Sequence, residues 1–315
     1  MRRLLISLTT LATLALSGVA AGAAATPTMS LRSEHVNGSV RAVLSDDHWQ
    51  VTGVLSSFQA HQTVSVHVFE NGRPIARRRV ALARHGSTGV FHLALHIGGT
   101  GKITVHAIHY ASRAMPRVTS NFVSVWVVAP QAALGERTLS VRILQARLRA
   151  LHYVIGAPGV LDSQTSLGVV AFQKEVGLQI TGVPDASTFA ALAAGKGVFP
   201  IRYRAHGRHV EADLTHQVLA LIGAGDQVQR IYDMSSGKPS TPTAPGSFTV
   251  YNRTPGTNDL GMVDSSYFNG GDAIHGYAEV PPYAASHGCL RVPIPDAQAI
   301  YDWVQMGTPV DVYFG

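Results

Sequence analysis

The chain has 315 residues, 46% hydrophobic and 14% charged; so much apolar content with so little charge excludes a disordered chain and a coiled coil, and the length predicts two or three domains. The net charge of +6 is unevenly spread: residues 26–130 carry ten basic and four acidic residues, residues 199–315 seven and eleven. A nucleic-acid binder concentrates positive charge on its working surface, and the part richest in chemistry here is acidic, which argues against a nucleic-acid partner.

In chain order, the N-terminus reads as an export signal. Arg2 and Arg3 precede an apolar run over residues 4–19, and Ala21-Gly22-Ala23 and Ala23-Ala24-Ala25 both fit a small-residue cleavage site. The run is shorter than the ~20 residues of a spanning helix. Cleavage after about residue 25, with no stable membrane insertion afterwards, is therefore expected over an uncleaved anchor. No later segment is long and apolar enough to span a membrane.

Residues 30–128 read as β. Val64, Val66 and Val68 alternate with polar residues, Asn71-Gly72 supplies a two-residue turn, and Phe91, Leu93 and Leu95 alternate with His92, Ala94 and His96. About a hundred residues of short strands suggest an immunoglobulin-like β-sandwich. Nine of the 15 histidines fall here. With Asp and Glu scarce around them, a polar sheet face is the simpler reading than a metal site, and no metal or cofactor is expected.

Residues 129–138 look like a linker. Helical spacing follows in Val141, Leu144, Leu148 and Leu151, and again in Val169, Phe172 and Val176. Residues 159–165 and 182–188 match at an offset of 23, each with an Asp and a Thr three apart, either able to cap the next helix. The unit is expected to be a small three-helix bundle. Leu144-Gln145, Leu148, His152-Tyr153, Asp162, Thr165, Ala171-Phe172-Gln173, Gly177-Leu178, Gly182, Asp185, Thr188 and Leu192 make it resemble the peptidoglycan-binding domain 1 family over residues 138–194. That resemblance implies noncatalytic binding of the glycan wall, with a helical spacer as the alternative.

From residue 199 the chain turns β-rich, and it contains a single Cys, Cys289. One Cys cannot form an internal disulfide; it is a buried inert thiol, an intermolecular partner or a reactive group. Its surroundings favour reactivity. His275-Gly276 stands upstream, and Ser286-His287-Gly288-Cys289-Leu290-Arg291 follows. Thiol acyl chemistry needs a nucleophile, a base, and donors where charge develops on a carbonyl oxygen, and this short stretch contains candidates for all three. Zinc held by His275, His287 and Cys289 is the rival reading, but no fourth ligand is evident.

This segment resembles the L,D-transpeptidase catalytic domain, also called YkuD, over residues 199–315. The resemblance implies a mainly-β domain in which Cys289 is the nucleophile and His275 the general base. It implies an oxyanion site from His287, Gly288 and Cys289, support from Ser286, and a loop or substrate-carboxylate role for Arg291. Tyr277 departs from the Thr or Ser common after His-Gly, so a backbone carbonyl is a candidate to orient His275. Tyr267, Phe268 and Asn269, just before Gly270-Gly271, are expected to line the cleft, with core packing as the alternative for Tyr267 and Phe268. The implied reaction is exported peptidoglycan cross-linking through a thioester on a tetrapeptide stem, in a periplasm or cell wall. Hydrolysis by an L,D-carboxypeptidase, anchoring of a protein amine and noncatalytic wall binding are the alternatives.

Overall fold

The computed structural model describes residues 26–34, 40–45, 47–96 and 98–315. The expected signal peptide over residues 1–25 lies outside them, as does His35. The N-terminal strands are β1 (Met29–Glu34), β2 (Ala42–Leu44), β3 (His48–Leu55), β4 (Thr63–Glu70), β5 (Arg73–Ala81), β6 (Ala83–His85), β7 (Thr88–His96), β8 (Gly101–His109), β9 (Val118–Thr119) and β10 (Val123–Val128). They form two sheets, ordered β1-β3-β7-β6 and β2-β10-β8-β4-β5, with β9 on β8. The cause is period-two patterning: in β7, Phe91, Leu93 and Leu95 are buried while His92, Ala94 and His96 are exposed. The inner faces meet around Trp49, Val51, Val66, Val105 and Val125. Asn71 and Gly72, at φ 48° and 82°, close the β4–β5 hairpin in the left-handed pair that a two-residue turn requires. Among the described residues, no group of three His, Cys, Asp or Glu is placed to hold a metal ion.

Three helices follow: α1 (Leu139–Ala150), α2 (Ser163–Glu175) and α3 (Ala186–Ala193). Asp162 and Asp185 are the caps of α2 and α3, accepting from the Thr165 and Thr188 N–H groups at 2.8 and 2.9 Å. The two Thr hydroxyls instead receive buried amides, Gln145 at 3.0 Å and Gln173 at 3.2 Å. Each Gln also accepts a turn N–H, from Gly159 and Gly182 respectively. The internal repeat is thus one turn built twice around a buried glutamine.

The C-terminal elements are β11 (His209–Asp213), β12 (Val218–Ile222), β13 (Val228–Asp233), β14 (Gly246–Thr249), β15 (Asn252–Thr257), β16 (Val263–Asn269), β17 (Asp272–Tyr277), β18 (Leu290–Pro293), α4 (Ile294–Trp303) and β19 (Pro309–Tyr313). One sheet runs β13-β12-β11-β19-β14 and the other β15-β16-β17-β18. Leu219, Leu221, Ile274, Leu290 and Val310 share the core between them. The chain is therefore multidomain and, among the described residues, mostly β with four helices.

β12 is buried on both faces, which is why it reads as an unbroken apolar run. Leu219 and Leu221 face its own core, while Val218, Ala220 and Ile222 pack with Leu144, Leu148, Tyr153 and Phe172 of the helical unit. That unit is not a bead on a string. Residue 153 bridges to Ile231 in β13, Gln164 donates to Asp296 at 2.7 Å, and Lys174 makes a buried ion pair with Asp233. Lys174 Nζ also donates to the Gln217 and Met234 carbonyls. On the other side, Arg147 pairs with Asp47 of the sandwich at 2.7 Å. Among the described residues, no helix is long and apolar enough to cross a membrane.

Candidate active site

The two motif segments come together because β17 and β18 pair in parallel, with Ile274 opposite Leu290 and His275 opposite Arg291. Cys289 immediately precedes β18 and so stands beside the start of β17. The resulting cleft, of about 640 Å³, is lined by Leu260, Met262, Gly271, Asp272, His275, Tyr277, Ser286, His287, Cys289 and Arg291. Gly276 lets β17 sit close on α4: a Cβ there would come within 2.6 Å of Ala297 Cβ.

His275 is buried, and its Nδ1 lies 2.9 Å from the Gly276 carbonyl oxygen. That contact makes Nδ1 the protonated nitrogen and leaves Nε2 as a proton acceptor. A backbone carbonyl thus orients the ring, where Tyr277 offers no hydroxyl at the usual position; the Tyr277 ring packs edge-on, 5.6 Å from His275. The Arg291 guanidinium covers that same ring at 4.1 Å. Burial holds His275 below the usual histidine range; the Gly276 carbonyl opposes this and Arg291 adds to it. The imidazole is therefore neutral near pH 7.

Burial pushes the Cys289 thiol up, and the Asp272 carboxylate adds to this. The Ala273 and Cys289 N–H groups and Arg291 pull the other way. The thiol's own hydrogen bond runs to the Gly271 carbonyl, 3.8 Å away. The resting pair is neutral thiol and neutral imidazole, so thiolate has to form as the nucleophile attacks.

The Cys289 turn is braced from below. Buried Ser286 donates its hydroxyl to the Cys289 carbonyl at 2.6 Å and accepts the Gly288 N–H at 3.1 Å. Thr243 donates to the Gly288 carbonyl at 2.7 Å and accepts the Gly237 N–H at 2.8 Å. The Ala285 and Ser286 N–H groups donate to the Ser236 carbonyl, and Ser235 and Arg291 exchange backbone bonds. Gly288 takes φ 125°, and a Cβ on it would lie 2.1 Å from Asp272 Oδ1; only glycine fits there.

The site residues expected from sequence take different places. The Gly288 N–H donates to Ser286, and the N–H groups that face the Cys289 sulfur are those of Cys289 and Ala273, the latter unmarked by any motif. His287 is exposed, its Nε2 lying 3.0 Å from Lys238 Nζ at the rim. Tyr267 and Asn269 do not line the cleft: Tyr267 pairs with Ala273 one strand further from β18, and Asn269 donates to Asp272 Oδ2 at 3.4 Å, reaching the site only through that carboxylate. Phe268 packs in the core against Phe248. Asp272 went unseen because strand alternation assigns positions three apart to opposite faces.

The L,D-transpeptidase catalytic domain (YkuD) model matches residues 207–312, and the peptidoglycan binding domain model matches residues 137–192. Among solved structures, the L,D-transpeptidase (residues 123–326) from Xylanimonas cellulosilytica is 34% identical, covers 59% of this chain and 98% of its own, and has a TM-score of 0.54. The L,D-transpeptidase from Stackebrandtia nassauensis is 21% identical, covers 58% and 95%, and scores 0.37. A cysteine-to-serine variant of the Enterococcus faecium L,D-transpeptidase is 25% identical, covers 40% and 62%, and scores 0.31. A comparison with curated proteins returns no match. With its braced cysteine turn, its buried histidine and a helical unit of the peptidoglycan-binding kind packed on the same sheet, this chain belongs to the L,D-transpeptidase family.

Proposed function

We propose that Cys289 is the nucleophile of an exported L,D-transpeptidase that cross-links peptidoglycan through a thioester. The observation that carries this is the β17–β18 pairing, which brings a thiol and a buried imidazole with a free Nε2 into one cleft. His275 Nε2 takes the thiol proton as sulfur attacks the carbonyl carbon of the third residue in a tetrapeptide stem. The C–N bond to terminal D-Ala breaks, and the leaving nitrogen takes the proton from His275. A side-chain amine of a second stem then attacks the thioester, giving its proton to His275, which returns it to the departing sulfur.

We assign the oxyanion to the His287–Gly288–Cys289 turn. Recruiting the Gly288 N–H requires the Ser286 hydroxyl to yield its contact. Arg291, anchored over Tyr277, is the cation for a stem carboxylate. The N-terminal sequence supports export, to a periplasm or cell wall, and the strand order of residues 29–128 supports an immunoglobulin-like sandwich.

The test is incubation of purified enzyme with tetrapeptide muropeptides and mass spectrometry of the products. A dimer lighter than two tetrapeptides by one D-Ala, absent with Cys289→Ala, is expected. A tripeptide alone identifies water as the acceptor and hence a carboxypeptidase. No product and no acylation identifies a noncatalytic wall binder. His275→Ala is expected to slow acylation by roughly 10²–10⁴-fold, the range for a lost general base, with partial recovery as pH rises toward the thiol pKa.

A further inference from the structure

The outer face of the larger N-terminal sheet brings unneutralised charge and exposed rings together, far from the cysteine cleft in sequence. Edge strand β5 is exposed along nearly its whole length and carries Arg73, Arg77, Arg78 and Arg79. Alternation sends Arg77 and Arg79 to the side shared by their partners His67 and Ser65. Arg77 Nε donates to Ser65 Oγ at 2.9 Å, and its guanidinium lies 5.6 Å from the half-exposed Tyr110 ring, with Arg117 on the same ring at 6.0 Å. The Arg77 guanidinium is thus held in place, and among the described residues its outer NH groups have no protein acceptor. The His67, His106 and Phe122 rings continue the face at 5.1 and 4.7 Å spacings, and Phe122 is 63% exposed.

A cleft of about 700 Å³ opens at this edge. It is lined by Arg77, Arg79, Arg113, His61, His109 and Tyr110 among others, and among the described residues no carboxylate lines it. Among the described residues, none of the three arginines forms an ion pair. Guanidinium forks match phosphate and carboxylate bidentately, and three such forks in one concavity repel one another until an anion enters. The exposed rings add flat apolar surface suited to the C–H faces of sugars or polyols.

We propose that this cleft binds an anionic sugar or polyol polymer, one bearing repeated phosphate or carboxylate groups. Its occupancy would hold the enzyme on the acidic component of the wall independently of the helical unit. Anion binding rests on the sandwich alone and is read out separately from catalysis; that the polymer belongs to the wall rests on the proposed function.

The test uses the full mature chain at 150 mM salt, titrated separately with a polyglycerol-phosphate polymer, polygalacturonate, neutral dextran and duplex DNA. Binding of at least one of the two acidic sugar or polyol polymers is expected, with none to dextran; which one binds identifies phosphate or carboxylate as the source. Arg77→Gln/Arg79→Gln/Arg113→Gln is expected to weaken binding by roughly 10- to 100-fold, since charged hydrogen bonds are worth at least about a factor of ten each before exposure is discounted. The triple Lys variant keeps the charge and loses the fork, so an intermediate loss is expected. Melting temperature and muropeptide turnover report that both variants fold. The proposal is overturned if neither acidic polymer binds, if the Gln variant binds as tightly as the parent, or if DNA binds as tightly as the acidic polymers.

Discussion

Lys174 gives the sharpest test of whether the helical unit and the catalytic sheet act as one body. Its side chain is 1% exposed and that of Asp233 3%; the ammonium also serves the Gln217 and Met234 carbonyls at 3.3 and 2.8 Å. Burial drives Lys174 down and Asp233 up, toward their neutral forms, and the contact draws each back. Lys174→Met removes one partner and leaves a carboxylate and two carbonyls in a dry site. Breaking a buried pair from one side costs about 3–5 kcal/mol, and at roughly 2–4 °C per kcal/mol for a unit of this size the melting temperature should fall by roughly 6–20 °C. The sign of the pH dependence follows from Asp233. A carboxyl whose folded pKa is raised contributes stability at low pH that is lost as pH rises through that pKa, so the deficit should shrink between pH 7.5 and pH 5. Lys174→Met/Asp233→Leu, which removes both charges at similar volume, should recover most of the loss. Because Gln217 bonds Ser236, which holds the Ser286 end of the cysteine turn, the single variant should also acylate more slowly at temperatures where it is still folded. Thermal melts at two pH values and intact-mass acylation by a carbapenem are the assays. A single variant within 1 kcal/mol of the parent at pH 7.5, or a double variant no better than the single, would refute the reasoning.

Asp272→Asn removes a charge that pushes the Cys289 thiol up, so the pH midpoint of thiol alkylation should move down; an unchanged or higher midpoint removes Asp272 from the site's electrostatics. Gly288→Ala sets a Cβ 2.1 Å from Asp272 Oδ1 at φ 125°; strain of about 1–3 kcal/mol should appear as at least a tenfold slower acylation, read by intact mass. Glu175, pushed up to about 7 by burial, favours its protonated form in the fold, so it contributes stability that is lost as pH rises through 7. Glu175→Gln should therefore melt higher than the parent at pH 8 and match it at pH 5, checked by calorimetry.

Much of this molecule was legible along the chain because it depends on near neighbours. The Asn71-Gly72 turn, the alternation of β7, the repeated capped turns, though not which of Asp or Thr is the cap, and the Ser-His-Gly-Cys run are each a few residues long, and local sterics and hydrogen bonding decide them. Chain order also carried the pairing of a distant His-Gly with the cysteine, through resemblance to a family rather than through spacing. What the tertiary structure alone decided involves partners far apart in sequence, whose meeting no period or motif encodes. Lys174 meets Asp233 across 59 residues, Thr243 meets Gly288 across 45, and Val218, Ala220 and Ile222 are covered by helices that look from sequence like a separate module. Ala273 and Asp272 reach the cysteine only because β17 and β18 pair in parallel in one register. A backbone N–H and a carboxylate one strand away have no signature along the chain, and their effect on the thiol exists only once burial has removed the water that would otherwise screen them.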